Sequence, residues 1–244
     1  MNLDIDIGNS NVKWRLLNGL SVIASGSQTT DSLSEGNIIL PDISKHITRA
    51  RLCSVGSNAV NTVISQQLLS SHDVSLEQAC VSRFVGGVTC GYKEPSKLGA
   101  DRWLAMLAAY NKHRKAVLVI DAGSAVTIDI VDDHGYHLGG YILPGTSLMA
   151  QSLRQGTKNV KVDIVDTPSL VLATTTEDAV IKGSLLSLVS TIKTVAISHP
   201  FKLVITGGSA LAILKHLEMD IDFVPDLVLD GLSTPGLEFI TPSG

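Results

Sequence analysis

Two short segments of the chain share one pattern of apolar and polar positions. In each, apolar residues run into an aspartate and then a glycine: Leu3-Asp4-Ile5-Asp6-Ile7-Gly8 and Val117-Leu118-Val119-Ile120-Asp121-Ala122-Gly123. Such runs, ending at glycine, are typical of a strand that enters a turn. A second strand-like run follows each turn, at residues 12–17 and 125–131. The pattern therefore predicts two β-hairpins with Asp-x-Gly at the turn.

The two hairpins are separated by about half the chain, which predicts two similarly built lobes rather than a short-period repeat. Further strands are predicted at residues 50–55, 136–143 and 201–206, and helices at residues 59–70, 98–113, 146–155, 176–198 and 210–217. Because no low-complexity linker separates the halves, we expect a cleft between tightly connected lobes rather than two tethered modules.

Composition narrows the class of protein. The chain has 244 residues, 44% of them hydrophobic and 17% charged, which excludes a disordered protein. A formal net charge of -4 lacks the excess of Lys and Arg used in non-specific nucleic-acid binding, so we expect no nucleic-acid partner. The longest unbroken apolar run, residues 103–110, is much shorter than the roughly 20 residues of a membrane span, so we expect no membrane partner. Asp4 and Asp6 stand where a secretory signal would be positive, which favours a cytoplasmic protein.

Two kinds of site are not supported by the sequence. Cys53, Cys80 and Cys90 are odd in number and lack CxxC spacing, so we interpret them as buried thiols rather than disulfides or zinc ligands. Residues 86–93 resemble a phosphate loop, but Lys93 is displaced by one position and Glu94 replaces the required Ser or Thr.

The first hairpin turn offers what a polyphosphate requires. Gly8 lets backbone N–H groups approach a ligand, Ser10 adds a hydroxyl, Lys13 an amine, and Asp6 a carboxylate for Mg²⁺. One Asp-x-Gly turn alone is also common in ordinary hairpins. The second copy, with Asp121 and Ser124, favours function, because hairpins from two lobes can hold a nucleotide from both sides. We therefore predict paired phosphate-binding turns.

A third feature is Gly99-Ala100-Asp101-Arg102 at the start of a predicted helix. Aspartate there is often only a helix cap. Beside phosphate-binding turns, Asp101 would instead accept the proton of an attacking hydroxyl, and Arg102 would anchor an anionic substrate. Tyr92, Lys97, Gly99 and Arg102 would then line one acceptor pocket. The glycine-rich segments 139–145 and 206–208 are either plain turns or places where a nucleotide lies against backbone.

Taken in order along the chain, these features resemble the type III pantothenate kinase family, within the actin and hexokinase-like ATPase superfamily. The resemblance is carried by residues 6–13, 99–102, 121–129, 139–145, 175–183, 206–208 and 230–232. It implies an α/β fold of two ribonuclease-H-like lobes, residues 1–115 and 116–244, with an active-site cleft between them. The implied activity is ATP-dependent phosphorylation of pantothenate to 4'-phosphopantothenate, the first step of coenzyme A biosynthesis, in a homodimer.

The resemblance also implies residue roles. Asp101 would be the general base, Asp6 would hold Mg²⁺, and Asp121 would bind a monovalent cation, K⁺ or NH₄⁺. The residues implied to bind ATP are Asp6, Ile7, Gly8, Asn9, Ser10, Asn11, Val12, Lys13 and Ser124, and those implied to bind pantothenate are Tyr92, Gly99, Ala100, Asp101, Arg102 and Thr176. Thr176 would contact the substrate from the neighbouring subunit's side of the interface.

Three residues depart from the family pattern: Ser10 and Ser124 replace the usual threonines, and Thr175 replaces an asparagine. Both serines keep the hydroxyl, so we expect a modest effect on nucleotide positioning. Two alternatives remain open on sequence alone. One is another enzyme on the same scaffold, such as a sugar kinase or a polyphosphatase, and the other is a regulatory nucleotide-binding protein resembling an accessory transcription factor.

Overall fold

A computed structural model describes residues 1–30, 47–55, 58–156 and 169–241. The chain forms two compact units. The first comprises Met1–Lys112 together with Asp226–Gly244, and the second comprises His113–Pro225. The compact units therefore do not contain the same residues as lobes divided at residue 115, because the C-terminal segment belongs to the first unit. The division into ribonuclease-H-like lobes at 1–115 and 116–244 stays a prediction.

The strands of the described residues are β1 (Asn2–Ile7), β2 (Asn11–Asn18), β3 (Ser21–Thr29), β4 (Arg49–Ser54), β5 (Leu76–Ala79), β6 (Phe84–Val85), β7 (Val88–Thr89), β8 (Val117–Ala122), β9 (Ala125–Val131), β10 (His137–Pro144), β11 (Lys202–Thr206), β12 (Ile221–Phe223) and β13 (Phe239–Ile240). The helices are α1 (Asn58–His72), α2 (Ala100–His113), α3 (Thr146–Gly156), α4 (Thr176–Ala196), α5 (Ala210–Leu214) and α6 (Leu227–Gly231), and a 3₁₀ helix covers Pro95–Lys97.

The main sheet of the first unit has the strand order β13-β5-β4-β1-β2-β3 within the described residues. Strand β2 is antiparallel to β1, and β3 is antiparallel to β2. On the other side of β1, strands β4 and β5 extend the sheet and run parallel to β1. Alternate residues of β1, namely Leu3, Ile5 and Ile7, are fully buried in the apolar core. Because strand side chains alternate between faces, Asp4 and Asp6 lie together on the other face.

The sheet of the second unit repeats this arrangement, with the order β10-β9-β8-β11-β12 in the described part of the chain. Here β8, β9 and β10 are antiparallel, and β11 and β12 run parallel to β8. Leu118 and Ile120 of β8 share a core with Leu185 and Leu188 of α4. Both units thus place a hairpin first and a parallel extension second, which confirms the predicted fold class and both predicted hairpins.

Most predicted elements occur within a few residues of their expected bounds. The helix predicted at 210–217 is shorter, ending at Leu214, because the chain then tightens into i→i+3 hydrogen bonds from His216 and Leu217. Among the described residues, the pattern missed β3, β5, the β6–β7 hairpin, the 3₁₀ helix, β12, α6 and β13. These are short or, like β3, largely exposed along their length, so they bury too few apolar residues to give a periodic signal.

Two expectations about burial can be checked against the structure. Cys53 and Cys90 are buried thiols as predicted, whereas Cys80 is only partly buried. Burial raises the pKa of the Cys80 thiol, and the charge of Glu238 adds to the rise. Helix α4 is long and apolar enough to cross a membrane by length and composition alone. Its Leu185, Leu188 and Ile192 pack in the core of the second unit.

Candidate active site

The turn between β1 and β2 is held by hydrogen bonds at both of its sides. The Gly8 N–H donates to the Asn11 carbonyl at 2.9 Å, and the Thr30 N–H donates to the Ser10 carbonyl at 2.9 Å. The Thr30 hydroxyl donates to the Gly8 carbonyl at 3.2 Å. The sequence did not identify Thr30. Thr30 comes well after the turn in the chain, and no local pattern marks a residue that hydrogen-bonds to a distant segment. The result is a fixed turn on which Asn9 and Ser10 are exposed.

Asp6 and Lys13 are neighbours across the β1–β2 ladder. Their Cα atoms are register partners, and both residues are half-buried. Directly opposite residues of an antiparallel pair project from the same face of the sheet. A carboxylate and an ammonium group therefore project from the same face at the base of the exposed turn, and their roles toward a phosphate and its metal ion stay a prediction.

The second turn, between β8 and β9, is one residue tighter. The register pairs Ala122 with Val126, whereas the first hairpin pairs Ile7 with Val12. The Gly123 N–H donates to the Ala125 carbonyl at 3.0 Å, and the Ser124 carbonyl accepts the Gly145 N–H at 2.9 Å. Ser124 is thereby connected to the end of the glycine-rich segment at 139–145, which the sequence left open between a plain turn and a ligand surface.

The carboxylate of Asp121 faces a narrow space beside Gly207, the residue after β11. Gly207 has φ +96°, and a Cβ built on it would lie 2.5 Å from the Ala122 carbonyl oxygen and 2.6 Å from Asp121 Oδ1. Only glycine fits there, and the two oxygens border the space that a side chain would fill. Carboxylate and carbonyl oxygens are the ligands that hard cations prefer. The donor set therefore fits the cation expected at Asp121.

Helix α2 begins with the predicted Gly-Ala-Asp-Arg segment. The Gly99 carbonyl accepts the Trp103 N–H at 3.0 Å, so Gly99 precedes the first turn and Asp101 lies inside it. Asp101 Oδ1 accepts the backbone N–H of Arg102 at 2.7 Å. Asp101 is thus not the residue that caps the helix from outside, and its carboxylate is half-buried beside the glycine.

Arg102 and Tyr92 form a direct pair in the first unit. The Arg102 side chain is almost fully buried, with the residue 6% exposed. Its Nη1 donates to the Tyr92 hydroxyl at 3.0 Å, and its guanidinium carbon lies 5.7 Å from the centre of the Tyr92 ring. A buried guanidinium held by a phenol offers a preformed site for a carboxylate. Lys97, in the 3₁₀ helix, is exposed.

Thr176 is the first residue of α4 and is exposed. It lines an open groove of about 630 Å³ between α3 and α4, together with apolar residues that include Pro144, Met149 and Leu153. The neighbouring Thr175 caps α4, because its hydroxyl accepts the Asp178 N–H at 3.2 Å. Asparagine and threonine both serve as helix N-caps, so the departure at Thr175 preserves the local structural role.

The structure brings together Tyr92, Asp101 and Arg102 in the first unit, and Asp121, Ala122 and Gly207 in the second. Within the described residues, no three His, Cys, Asp or Glu side chains cluster as a protein-only metal centre would require.

The repeated sheet and the two Asp-x-Gly turns define the class: the protein has the fold of the actin-like ATPases and sugar kinases. Solved structures of similar fold include a protein of Campylobacter jejuni assigned to the Baf family of transcriptional activators, with a TM-score of 0.60, 23% identity and 94% of each chain covered. Another is a protein of Sinorhizobium meliloti assigned as a 2-dehydro-3-deoxygalactonokinase, with a TM-score of 0.57 and 13% identity, covering 96% of this chain and 95% of that one.

The sequence comparisons give the family. Residues 2–197 match the family described as type III pantothenate kinase. A type III pantothenate kinase of Hahella chejuensis is 36% identical over 231 residues, which cover 94% of this chain and 94% of the relative. The chain belongs to the type III pantothenate kinase family.

Proposed function

We propose that the protein transfers the γ-phosphoryl group of ATP to the primary hydroxyl of pantothenate, giving 4'-phosphopantothenate and ADP. The observation that carries this proposal is the group at the start of α2. There the Asp101 carboxylate accepts the backbone N–H of Arg102, and the buried Arg102 guanidinium donates to the Tyr92 hydroxyl. Family membership supplies the identity of the acceptor, and the group supports the chemistry that the acceptor requires.

Asp101 is the proposed general base. The hydroxyl oxygen of pantothenate forms a bond to the γ-phosphorus, the bond between that phosphorus and the ADP oxygen breaks, and the hydroxyl proton passes to Asp101. Arg102 binds the pantothenate carboxylate and thereby anchors the substrate in the site. Phosphoryl transfer asks a protein mainly for such positioning and for neutralisation of charge.

The first hairpin turn is the proposed site for the ATP phosphates. Asp6 would hold Mg²⁺, which when bound neutralises phosphate charge, and Lys13 would contact a phosphate directly. Asp121 and the Ala122 carbonyl would hold K⁺ or NH₄⁺, and Ser124 would donate to the nucleotide phosphates. Support comes from the fixed turn at Gly8 and from the oxygen-lined space beside Gly207.

The protein is proposed to act in the cytoplasm as a homodimer in which Thr176 reaches the pantothenate site of the other subunit. The second unit exposes large apolar side chains on β10, on α3 and on α4, the helix that Thr176 begins: Leu138, Ile142, Leu148, Leu153 and Leu186. Exposed apolar groups gathered on neighbouring elements favour burial against another surface, and two-fold symmetry makes a second copy the simplest occupant.

The first experiment measures ADP formation by purified protein with Mg-ATP and KCl, with and without pantothenate. Turnover that requires pantothenate, and that falls when NaCl replaces KCl, would support both the acceptor and the cation site. Turnover independent of pantothenate, or its absence in both salts, would overturn the proposed acceptor. A panel of sugar acceptors in the same assay tests for another kinase on this fold.

The role of Asp101 is tested by Asp101→Asn, which we expect to lower kcat by roughly 10² to 10⁴, the range typical of general-base catalysis. The matched control is Asp133→Asn, because Asp133 lies in a turn of the second unit with a side chain that is 71% exposed. An Asp101→Asn enzyme with the wild-type kcat would exclude Asp101 as the base.

The proposed role of Thr176 across a dimer is tested by co-expressing Asp101→Asn and Thr176→Val chains, each of which we expect to be nearly inactive when assayed alone. If Thr176 acts in the partner's site, about a quarter of wild-type activity returns, because half of the dimers are mixed and each has one intact site. No recovery, with mixed dimers confirmed by mass spectrometry, would place Thr176 and Asp101 of one chain in the same site.

A further inference from the structure

We propose that Arg83 is a positioning residue for the pantothenate site: it holds the loop at residues 90–93 so that Tyr92 meets Arg102. This inference rests on the proposed function, since it concerns the affinity of that site for its acceptor. Arg83 does not itself belong to the group formed by Tyr92, Asp101 and Arg102, and it acts on that group through the backbone of the loop.

Arg83 is joined to the loop by four hydrogen bonds. Its Nη1 donates to the Cys90 carbonyl at 2.9 Å and to the Tyr92 carbonyl at 2.7 Å, and its Nη2 donates to the Lys93 carbonyl at 2.7 Å. The Arg83 carbonyl accepts the Cys90 N–H at 2.9 Å. Three carbonyl dipoles that converge on one point repel each other unless a cation lies between them. The planar guanidinium supplies that charge and donors in several directions.

The hairpin that precedes the loop is fixed by its own packing. Between Arg83 and Cys90 the chain forms the β6–β7 hairpin, whose tip packs into the first unit. At this tip Gly86 has φ +61°, and a Cβ there would lie 2.5 Å from Thr234 Cγ2 and 2.8 Å from Asn111 Nδ2. Val88 and Cys90 are fully buried. Beyond Cys90, Tyr92 is half-exposed and Lys93 is exposed, so this is the part of the loop on which the guanidinium acts.

Tyr92 connects this clamp to the acceptor site. Its carbonyl accepts from Arg83, and its hydroxyl accepts from Arg102 Nη1 at 3.0 Å. Arg102 is almost fully buried, so its orientation depends on the few groups it contacts, of which the Tyr92 ring and hydroxyl are two. A displaced Tyr92 would therefore leave the guanidinium less well oriented for a carboxylate. The expected effect falls on the binding of pantothenate and leaves ATP binding unchanged.

The experiment compares wild type with Arg83→Gln, Arg83→Lys and the control Arg49→Gln. Arg49 is a partly exposed arginine of the same unit whose guanidinium binds Glu77 and lies over Phe239, away from the loop. For Arg83→Gln we expect the KM for pantothenate to rise roughly tenfold, corresponding to about 1.4 kcal/mol, with the KM for ATP unchanged and kcat changed less than twofold. Arg83→Lys should give an intermediate KM, because one ammonium group reaches fewer carbonyls. Arg49→Gln should resemble wild type in all three constants.

A double-mutant cycle separates positioning through Tyr92 from any direct effect. In a Tyr92→Ala background, Arg83→Gln should raise the KM for pantothenate by less than twofold, because residues that act through one another are not additive. An equal rise in both backgrounds, an unchanged KM for pantothenate in Arg83→Gln, or an equal rise in both substrates' KM values would overturn the inference.

Hydrogen exchange provides a readout that does not depend on turnover. Amides of residues 91–93 should exchange faster in Arg83→Gln than in wild type, while those of the hairpin tip at residues 85–88 should not change. If wild type turns over pantothenate but the exchange and kinetics of Arg83→Gln match wild type, only this inference fails. If wild type does not turn over pantothenate, the proposed function fails, and the inference about Arg83 fails with it because there is then no pantothenate site for Arg83 to position.

Discussion

The substitution Asp4→Asn should destabilise the first unit more than any other single loss of a carboxylate charge that we consider. Asp4 is fully buried, and its carboxylate accepts from two arginines that are each 6% exposed. Arg51 donates from Nε at 2.7 Å and from Nη2 at 2.9 Å, and Arg15 donates from Nε at 3.2 Å. Asparagine keeps the shape of the side chain but removes its charge and adds an amide donor that faces two cations.

The structure sets the size of the effect. Removing one partner of a buried ion pair typically costs about 3 to 5 kcal/mol, because a desolvated charge loses its compensation. Both arginines keep second partners, since Arg15 also donates to the Leu229 carbonyl and Arg51 to the Leu232 carbonyl, each at 2.7 Å. We therefore expect the lower end of that range, about 3 kcal/mol.

The chain contains its own probe for this measurement. Its two tryptophans, Trp14 and Trp103, are buried, and both lie in the first unit. Urea unfolding followed by tryptophan fluorescence therefore reports on the first unit. With an m-value of about 2 kcal/mol/M, the expected loss lowers the urea midpoint by roughly 1.5 M.

Two other acid–arginine pairs in the first unit serve as controls. Asp230 also binds Arg15, but its side chain is 46% exposed, and Glu77, which binds Arg49, is 36% exposed. Exposed pairs contribute about 1 kcal/mol or less, so Asp230→Asn and Glu77→Gln should each shift the midpoint by roughly 0.5 M at most. If Asp4→Asn shifts the midpoint no more than these two variants do, burial of the Asp4 pair does not stabilise the unit as argued.

Three further substitutions test the candidate site. In Gly99→Ala the added methyl would lie 2.6 Å from Asp101 Oδ1, so the flexible carboxylate must move. We expect kcat to fall by up to roughly 10²-fold with little change in Tm. A wild-type kcat would contradict the role of this contact. Gly207→Ala places a side chain at φ +96° against Ala122, which should lower the free energy of unfolding by about 1 to 3 kcal/mol. It should also raise the KCl concentration needed for half-maximal activity. An unchanged KCl titration would argue against a cation at Asp121. Thr175→Ala should lower the free energy of unfolding by about 1 kcal/mol, measured by thermal unfolding with circular dichroism as the signal, whereas Thr175→Asn should lower it hardly at all. Equal losses in the two variants would contradict the capping role.

The parts of the fold that sequence could predict are those with a local physical signal. Strands β1, β2, β8 and β9 bury alternate or continuous apolar residues, and their hairpins end at Asp-x-Gly. Strand β3 could not be predicted in the same way, because much of it is exposed and Gly26 packs against the Trp14 ring where a side chain would otherwise alternate. The order of strands within each sheet is a matter of long-range pairing, which periodicity does not encode.

The candidate site divides along the same line. Gly99, Asp101 and Arg102 are consecutive or nearly so, and a sequence pattern was enough to select them. Thr30 and Arg83 were missed because they donate to backbone carbonyls of other segments. Every residue carries a backbone carbonyl, so the sequence does not show which of them accepts a hydrogen bond. Asp4 was interpreted only as a charge at the N-terminus, because its partners Arg15 and Arg51 and the C-terminal segment come together only in the folded unit.

The repeated sheet gives the two hairpin carboxylates different neighbours, which supports the different ligands proposed for them. Asp6 and Asp121 are each the last residue but one of the first strand of their sheet, and each has one antiparallel and one parallel neighbour. Asp6 lies between Lys13 and Cys53, whereas Asp121 lies between Thr127 and Thr206. A lysine beside the first carboxylate adds a positive charge suited to phosphate oxygens. The second carboxylate has the hydroxyl-bearing residues Thr127 and Thr206 as its ladder neighbours, and the Ala122 carbonyl lies by Gly207. This oxygen-rich setting supports the cation proposed at Asp121 over an anion.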